Sequence, residues 1–302
     1  MKRGNNSLQK TSPPGRPKTA TSPEKVAEVL EMVMKDRRFT CRHIGQTLDL
    51  SKTAVHKILT EDLQMTKVSA RWVPRLLTFE QKLVRKNQSY DNLSLFNEDP
   101  DGFHARFVTV DETWVHHFTP ESKMSSMQWK HTDSPPPKKA RVTPSAGKVM
   151  ATVFWDSEGI ILTDFLEKGR TITGQYYSSL LVQLREEIHK KRKGKLSKGV
   201  LFHQDNAPAH KAAVSMATIH QCGFEIVPHP PYSPDLAPSD YHLFPNLKKH
   251  IGGMRFSTDD HVMSAVEGYF GSLQKPFFWE GINKLKHRWE KCVELNGDYV
   301  EK

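Results

Sequence analysis

Apolar residues recur at helical spacing between Glu24 and Lys35, at Val26, Val29, Leu30 and Val33. This is one face of an amphipathic helix, opened by Pro23. Thr40 is placed to cap a second short helix carrying Ile44 and Leu48, and Ser51 a third carrying Val55, Ile58 and Leu59. Asp49 and Leu50 fill the tight turn before Ser51, so the three helices predict a helix-turn-helix. A helical composition returns at 80–88. The period then changes to that of strands, with apolar runs at 106–111, 148–155, 160–166, 200–203 and 224–227. Asp156 to Gly159 reads as the turn of a hairpin. Helical patterns fill 171–191, 211–220, 241–250, 259–273 and 278–295, the first with Tyr176, Leu180, Leu181, Leu184 and Ile188 along one face.

Three antiparallel strands, a helix, a strand, a helix, a strand and further helices are similar to a ribonuclease-H-like core. The expectation is therefore an α/β protein: a mixed five-stranded sheet with flanking helices, preceded by a small all-α helix-turn-helix domain. The segments are a basic arm (1–23), the helix-turn-helix (24–66), a linker and connecting helix (67–103), and the α/β domain (104–302). Within the last, residues 116–147 form a connection far longer than the usual roughly 2–5 residues of a hairpin loop. It holds Pro135, Pro136, Pro137, Lys138 and Lys139, and is expected to protrude as a basic arm against DNA or a second subunit.

Charge sharpens this division. Residues 1–89 hold 18 Lys and Arg against 8 Asp and Glu, whereas the remainder holds 26 of each. All of the net charge of +10 thus belongs to the first third, which suits a polyanion such as double-stranded DNA. A solvated basic face is the bland alternative. No apolar stretch approaches the roughly 20 residues of a membrane span, and the N-terminus lacks a signal-peptide pattern. Cys41, Cys222 and Cys292 are scattered, as intracellular thiols are.

The candidate DNA contacts follow from the same helices. Ser51, Lys52, Thr53, His56 and Lys57 face outward on the third helix, the one that enters a major groove, with Arg42 on the second. Arg16 and Lys18, in Gly-Arg-Pro-Lys at 15–18, suit a narrow minor groove. The linker run at 72–78, with Trp72, Val73, Pro74, Leu76 and Leu77, fits a surface packed on a partner subunit and equally the domain's own cap.

Three aspartates carry the candidate chemistry. Asp111 and Asp205 end apolar strand runs, and Asp240 opens a helical stretch with 34 residues between it and Asp205. In the expected strand order the first two lie side by side and the helix start folds over them. Hard carboxylate oxygens so placed suit Mg2+, and two such ions suit phosphoryl transfer. Each aspartate taken alone is also an ordinary turn former. Asp235 is read as turn structure, Glu112 as a weaker auxiliary acid, and His203 and His210 as packing or DNA-contact groups, not zinc ligands.

At these residues the chain resembles the mariner branch of the Tc1/mariner transposases. The matching blocks are Asp-Glu-Thr-Trp at 111–114, His-Gln-Asp-Asn-Ala-Pro-Ala-His at 203–210 and Pro-Pro-Tyr-Ser-Pro-Asp-Leu-Ala-Pro-Ser-Asp at 230–240. The linker run at 72–78 and Trp-Glu-Lys-Cys-Val at 289–293 are similar too. The resemblance implies cut-and-paste transposition in the nucleus: binding to terminal inverted repeats, Mg2+- or Mn2+-dependent cleavage with two ions per site, and joining of 3′-hydroxyl ends at TA targets. It also implies catalytic and metal-ligating roles for Asp111, Asp205 and Asp240, a homodimer linked through 72–77, and a clamp-like loop at 116–147. That family has two helix-turn-helix units joined by Gly-Arg-Pro, so the first is expected to be lacking here. The alternative is a transposase-derived host DNA-binding protein without transposition activity.

Overall fold

The computed structural model describes residues 22–70, 72–123, 125–139 and 142–301, so the Gly-Arg-Pro arm with Arg16 and Lys18 lies outside the described residues. The chain divides between Trp72 and Val73 into two compact units.

The first unit holds three helices, α1 (Pro23–Lys35), α2 (Cys41–Leu48) and α3 (Lys52–Lys57). Each begins at a hydroxyl cap: Ser22 accepts from the Lys25 amide, Thr40 from His43 and Ser51 from Ala54. These bonds satisfy amides that the first helical turn leaves without partners. The turn between α2 and α3 depends on Gly45. Its carbonyl accepts from the Leu50 amide at 2.8 Å, and a Cβ there would collide with the Leu50 carbonyl oxygen. Asp49 takes the left-handed conformation (φ 51°) that ends α2. Val29, Ile44, Val55 and Ile58 form the buried centre, one from each helix and one from the wider turn Ile58–Asp62 that extends α3.

The second unit is built on a five-stranded sheet in the order β3-β2-β1-β4-β5. Its strands are β1 (Phe107–His116), β2 (Lys148–Asp156), β3 (Gly159–Leu166), β4 (Val200–His203) and β5 (Phe224–Val227). The first three are antiparallel, whereas β4 pairs parallel with β1 and β5 with β4. This is the ribonuclease-H-like order that the strand pattern predicted. Alternation along the strands sorts the core into two layers. Val108, Val110, Phe154 and Phe202 face α6 (Gly174–Lys191) and α8 (Ala213–Gln221). Phe107, Val153, Trp155 and Leu201 face the other layer, with α9 (Phe244–Ile251), α10 (Asp259–Ser272) and α11 (Lys275–Glu294).

Several boundaries differ from the sequence expectation for identifiable reasons. β1 runs on to His116, so Asp111 lies inside the strand and not at its end. The polar stretch at 111–113 breaks the apolar run, but the ladder from Asp111↔Val153 to His116↔Lys148 holds it extended. Within the stretch at 67–103 a further helix follows the connecting one: Asp99 caps α5 (Pro100–Arg106), with proline at its first position. Residues 80–88 belong to α4 (Phe79–Glu98), whose length was masked because it buries Arg85, Ser89 and Asn92 beside Phe96. Residues 208–221 split at Ala212 into α7 (Pro208–Lys211) and α8. Between β1 and β2, residues 117–147 hold no helix or strand among the described residues, and Trp129 there is fully exposed.

One buried ion cluster ties the far end of the sheet. Asp156 closes the β2–β3 turn by accepting from the amides of Glu158 and Gly159, and it is wholly buried against Arg192 and Lys195. Burial by itself would raise its carboxyl, but the Arg192 hydrogen bond and the two cationic charges more than offset this and hold it below the usual range. A depressed folded value means that its stabilisation is present above the unfolded value near pH 4 and is lost as pH falls through the folded one. Asp156→Asn leaves two cations without their anion and is expected to lower unfolding free energy by about 3 kcal/mol or more. The loss should be largest at neutral pH and shrink toward acid, as measured by denaturant melts across that range.

Candidate active site

The registers of β1 place two of the three aspartates. Thr109 pairs with His203 across the parallel β1–β4 ladder, and Asp111 and Asp205 each follow two residues later. A step of two preserves the face, so Asp111 shares the layer of Phe107 and Val115, the one covered by α9 to α11. Asp240 arrives from that layer. It lies in the wide turn Ser239–Leu243 leading into α9, pinned where the Trp155 indole donates to Ser239 Oγ at 2.9 Å. Asp111, Asp205 and Asp240 thereby line one cavity of about 400 Å³, walled by Pro74, His229, residues 230–234 and Ala237.

Each carboxylate has a different setting. Asp205 Oδ1 accepts from the Ala207 amide at 2.9 Å and meets His210 Nδ1 at 2.6 Å. The other ring nitrogen of His210 lies 3.2 Å from Glu112 Oε1. Only the doubly protonated imidazolium can donate to both. Burial pulls His210 down, but the bonds to Asp205 and Glu112 outweigh it and push the group up to about 9. Burial likewise raises Asp205, and here the His210 bond, the Ala207 amide and the His210 charge bring it below the usual range. Asp111 goes the other way: burial first, then the charges of Asp240, Glu112 and Asp205, lift it well above normal. Asp240 is raised to about 6, by burial and by Asp205, although Lys248 opposes the shift. It still opens to solvent at the cavity mouth, so solvent screening limits what that shift means for stability.

Asp111 and Asp240, raised by burial and then by neighbouring carboxylates, are groups that a cation would relieve. In donor type the three aspartates suit a hard divalent ion, and they line one cavity. Among the described residues, however, no three His, Cys, Asp or Glu side chains are gathered closely enough to enclose one. Mg2+ does not require such a cage, because one or two carboxylates with water and substrate phosphate suffice.

The remaining predicted residues are distributed as follows. Arg42, Ser51, Lys52, Thr53 and His56 are exposed in the first unit, and Lys57 is half-buried and paired with Glu61 at 3.4 Å. Trp72 and Leu76 are exposed, Val73 and Leu77 half-buried, and Pro74 lines the cavity. His203 is a packing group, bonded to Thr109 and His229 and kept neutral by burial. His210 is more than that, since it bridges two acidic side chains. The signal was Pro208, which starts a one-turn helix and brings a histidine five residues on back over Asp205. Asp235 is indeed structural, ion-paired to Arg85.

Comparison with known proteins agrees with this geometry. A family model described as transposase (partial DDE domain) matches residues 119–198. The mariner Mos1 transposase of Drosophila mauritiana is 35% identical over 277 residues, 91% of this chain and 79% of that protein. The chain belongs to the mariner transposases. The human histone-lysine N-methyltransferase SETMAR is 30% identical over 300 residues, 99% of this mariner chain and 42% of that protein. The crystal structure of the Mos1 mariner paired-end complex with Mn superposes with a TM-score of 0.79 at 32% identity, covering 96% of this chain and 83% of that one. The Mos1 catalytic domain gives 0.64 at 33%, covering 76% and 100%.

Raised carboxylates oppose folding, which gives a test in the metal-free protein. Replacing Asp240 by Asn is expected to increase stability at pH 8 by about 1 kcal/mol, a value kept small by solvent screening. The gain should be absent near pH 3, where folded and unfolded carboxyls are both largely protonated, should grow as pH rises from the unfolded value near 4, and should level off above about 6. Thermal melts in chelator at both ends of that range measure it.

Proposed function

We propose that this chain is a mariner-type DNA transposase that cleaves DNA at terminal inverted repeats and joins the 3′-hydroxyl ends to TA targets. The observation that carries the reading is the single cavity lined by Asp111, Asp205 and Asp240. Solved relatives support the substrate and the cofactor: Mos1 transposase is seen in a paired-end complex with the left transposon end, and in complexes with Mn and with Mg. Two divalent ions, Mg2+ or Mn2+, would supply Lewis-acid stabilisation of the charge on the transferred phosphoryl group. Asp111, Asp205 and Asp240 would hold them, and Asp111 and Asp240 are the carboxylates whose repulsion a cation relieves.

The chain's own residues do the positioning. His210 fixes Asp205 from behind and joins it to Glu112. Buried and neutral, His203 and His229 keep further positive charge out of the wall beside Asp205. In the first unit, Lys52, Thr53 and His56 on α3 offer the groove-facing surface, with Arg42 and Ser51 near the phosphates. Arg16 and Lys18 extend that contact into a minor groove. Residues 72–77 and the 116–147 loop, with its exposed Trp129 and Met127, serve a homodimer, the loop as a clamp on the second subunit. Action on chromosomal DNA implies a nuclear location in a eukaryotic cell.

A DNA-binding protein without transposition activity is the second reading, favoured by the match to less than half of a human protein named for another activity. Mg2+-dependent nicking of inverted-repeat DNA separates the two. Asp205→Ala should reduce nicking about a thousandfold or more, on the order of 4 kcal/mol of transition-state stabilisation. Undiminished nicking by that variant rejects the catalytic assignment, and tight binding by the unaltered chain without nicking selects the second reading. For the helix-turn-helix, Lys52→Ala should lower the slope of log affinity against log salt by about 1. An unchanged slope in filter-binding titrations removes Lys52 from the interface.

A further inference from the structure

The cavity wall opposite β1 is a loop, residues 228–240, that holds five prolines. Proline has no amide hydrogen to donate, and the loop's own backbone bonds make only short turns, from Leu236 to Ser233, from Ala237 to Pro234 and from Asp240 and Tyr241 to Ala237. It is held from outside by side chains. Asp235 accepts both arms of the Arg85 guanidinium, at 2.9 and 2.7 Å. It also accepts from the Val300 amide at 2.8 Å, and its carbonyl accepts from Arg288 at 2.9 Å. Arg85 is wholly buried and reaches further, to Ser233 Oγ at 2.5 Å and to the carbonyls of Gly297 and Asp298 at 2.8 and 3.2 Å.

The chain after α11 closes this network. Asn296 and Gly297 both have positive φ, 53° and 84°. They reverse the chain so that Gly297 presses against the Lys82 carbonyl of α4, where a Cβ would not fit. Tyr299 then stacks under Arg85, and its hydroxyl lies 2.9 Å from the Arg75 carbonyl and 3.1 Å from that of Tyr232. Tyr232 and Pro74, next to Arg75, line the cavity.

We propose that residues 297–300 are a positioning strap of the active site, holding the proline-rich loop through Arg85 and Tyr299 so that Asp240 faces Asp111 and Asp205. The need for a restraint follows from electrostatics: carboxylates crowded into one cavity repel, and a loop whose own backbone bonds make only short turns yields outward. The bidentate Arg85–Asp235 fork fixes orientation as well as distance, and its partner carboxylate is five residues before Asp240. The proposal rests on the reading of the three aspartates as ion ligands.

The test is Mn2+ binding by the full chain, followed by calorimetry and by the electron paramagnetic resonance of free Mn2+, together with the Mn2+ dependence of nicking. Tyr299→Phe keeps the ring under Arg85 and removes only the hydroxyl. It should weaken Mn2+ binding and raise the half-saturating Mn2+ by about tenfold, as loss of an outer-shell support does. Saturating Mn2+ should restore nicking, and the metal-free melting temperature should stay within about 2 °C of the unaltered protein. Arg85→Lys, which keeps the charge but loses the fork, should weaken binding further. Unchanged Mn2+ affinity in a folded Tyr299→Phe protein overturns the strap, as does a nicking defect that saturating Mn2+ does not correct. If Asp205→Ala also leaves Mn2+ binding unchanged, the ligand reading has failed instead.

Discussion

The site depends on the two different partners of β1. On one side β2 pairs with it antiparallel as far as His116, and on the other β4 pairs with it parallel only from Phe107 to Thr109. Beyond Thr109 the β4 side of the strand is therefore open, while the β2 side still holds the backbone extended. A cavity forms there because the chain leaving β4 must turn away from a strand that continues. Crevices beyond the carboxyl ends of parallel strands, where connections diverge, are where open α/β sheets bind ligands. Asp111 enters this gap from a strand held rigid by its other neighbour, and Asp205 enters from the departing loop. Their common face follows from register and needs no contact between them.

The same gap explains why the electrostatics is uneven. Asp205, on the departing loop, can be reached by His210 from the one-turn helix that follows, and so it keeps its charge. Asp111 is fixed in a strand, with Glu112 on the opposite face and no cation paired with it among the described residues, so burial raises it. One carboxylate is thus held below its ordinary range by protein groups and two are raised above theirs. That asymmetry cannot be produced by three equivalent turn formers, and it separates Asp240 from Asp235. The two lie five residues apart in one loop, but Asp235 has Arg85 and the Val300 amide, whereas Asp240 has the cavity.

What could be read from the chain beforehand follows this division between local and long-range causes. Caps, turns and strand order are local: Thr40, Ser51 and the Asp156–Gly159 turn specify their elements within a few residues, and the order of elements then constrains the sheet. The ends of β1 and α4 were hidden because tertiary partners decide them. Asp111 to Thr113 look like a strand end until the β2 ladder is present, and Arg85, Ser89 and Asn92 spoil the amphipathic pattern of α4 because they are polar groups buried for their partners. Arg85 meets residues 148 to 213 positions away, and no window of sequence contains that information. The three aspartates were legible through their motifs. Their unequal charge states, and the Glu112–His210–Asp205 bridge, were not.

The distribution of charge makes the same point about binding surfaces. The densest basic run in the chain is in the second unit, at Lys190, Lys191, Arg192, Lys193 and Lys195, and composition alone would assign it to a polyanion. The fold engages most of it internally. Arg192 and Lys195 neutralise the buried Asp156, Lys190 and Lys191 pair with Glu187, and Lys191 also donates to the Ile161 carbonyl. A cation already matched to an anion releases few counterions when DNA approaches, so it adds little to salt-dependent binding. In the first unit the residues of α3 that project outward, Lys52, Thr53 and His56, stand opposite Val55 and Ile58, whose burial fixes which face is turned to solvent. A basic surface for nucleic acid is therefore defined by which cations the hydrophobic core orients outward, and the number of lysines in a stretch of sequence is a poor guide to it.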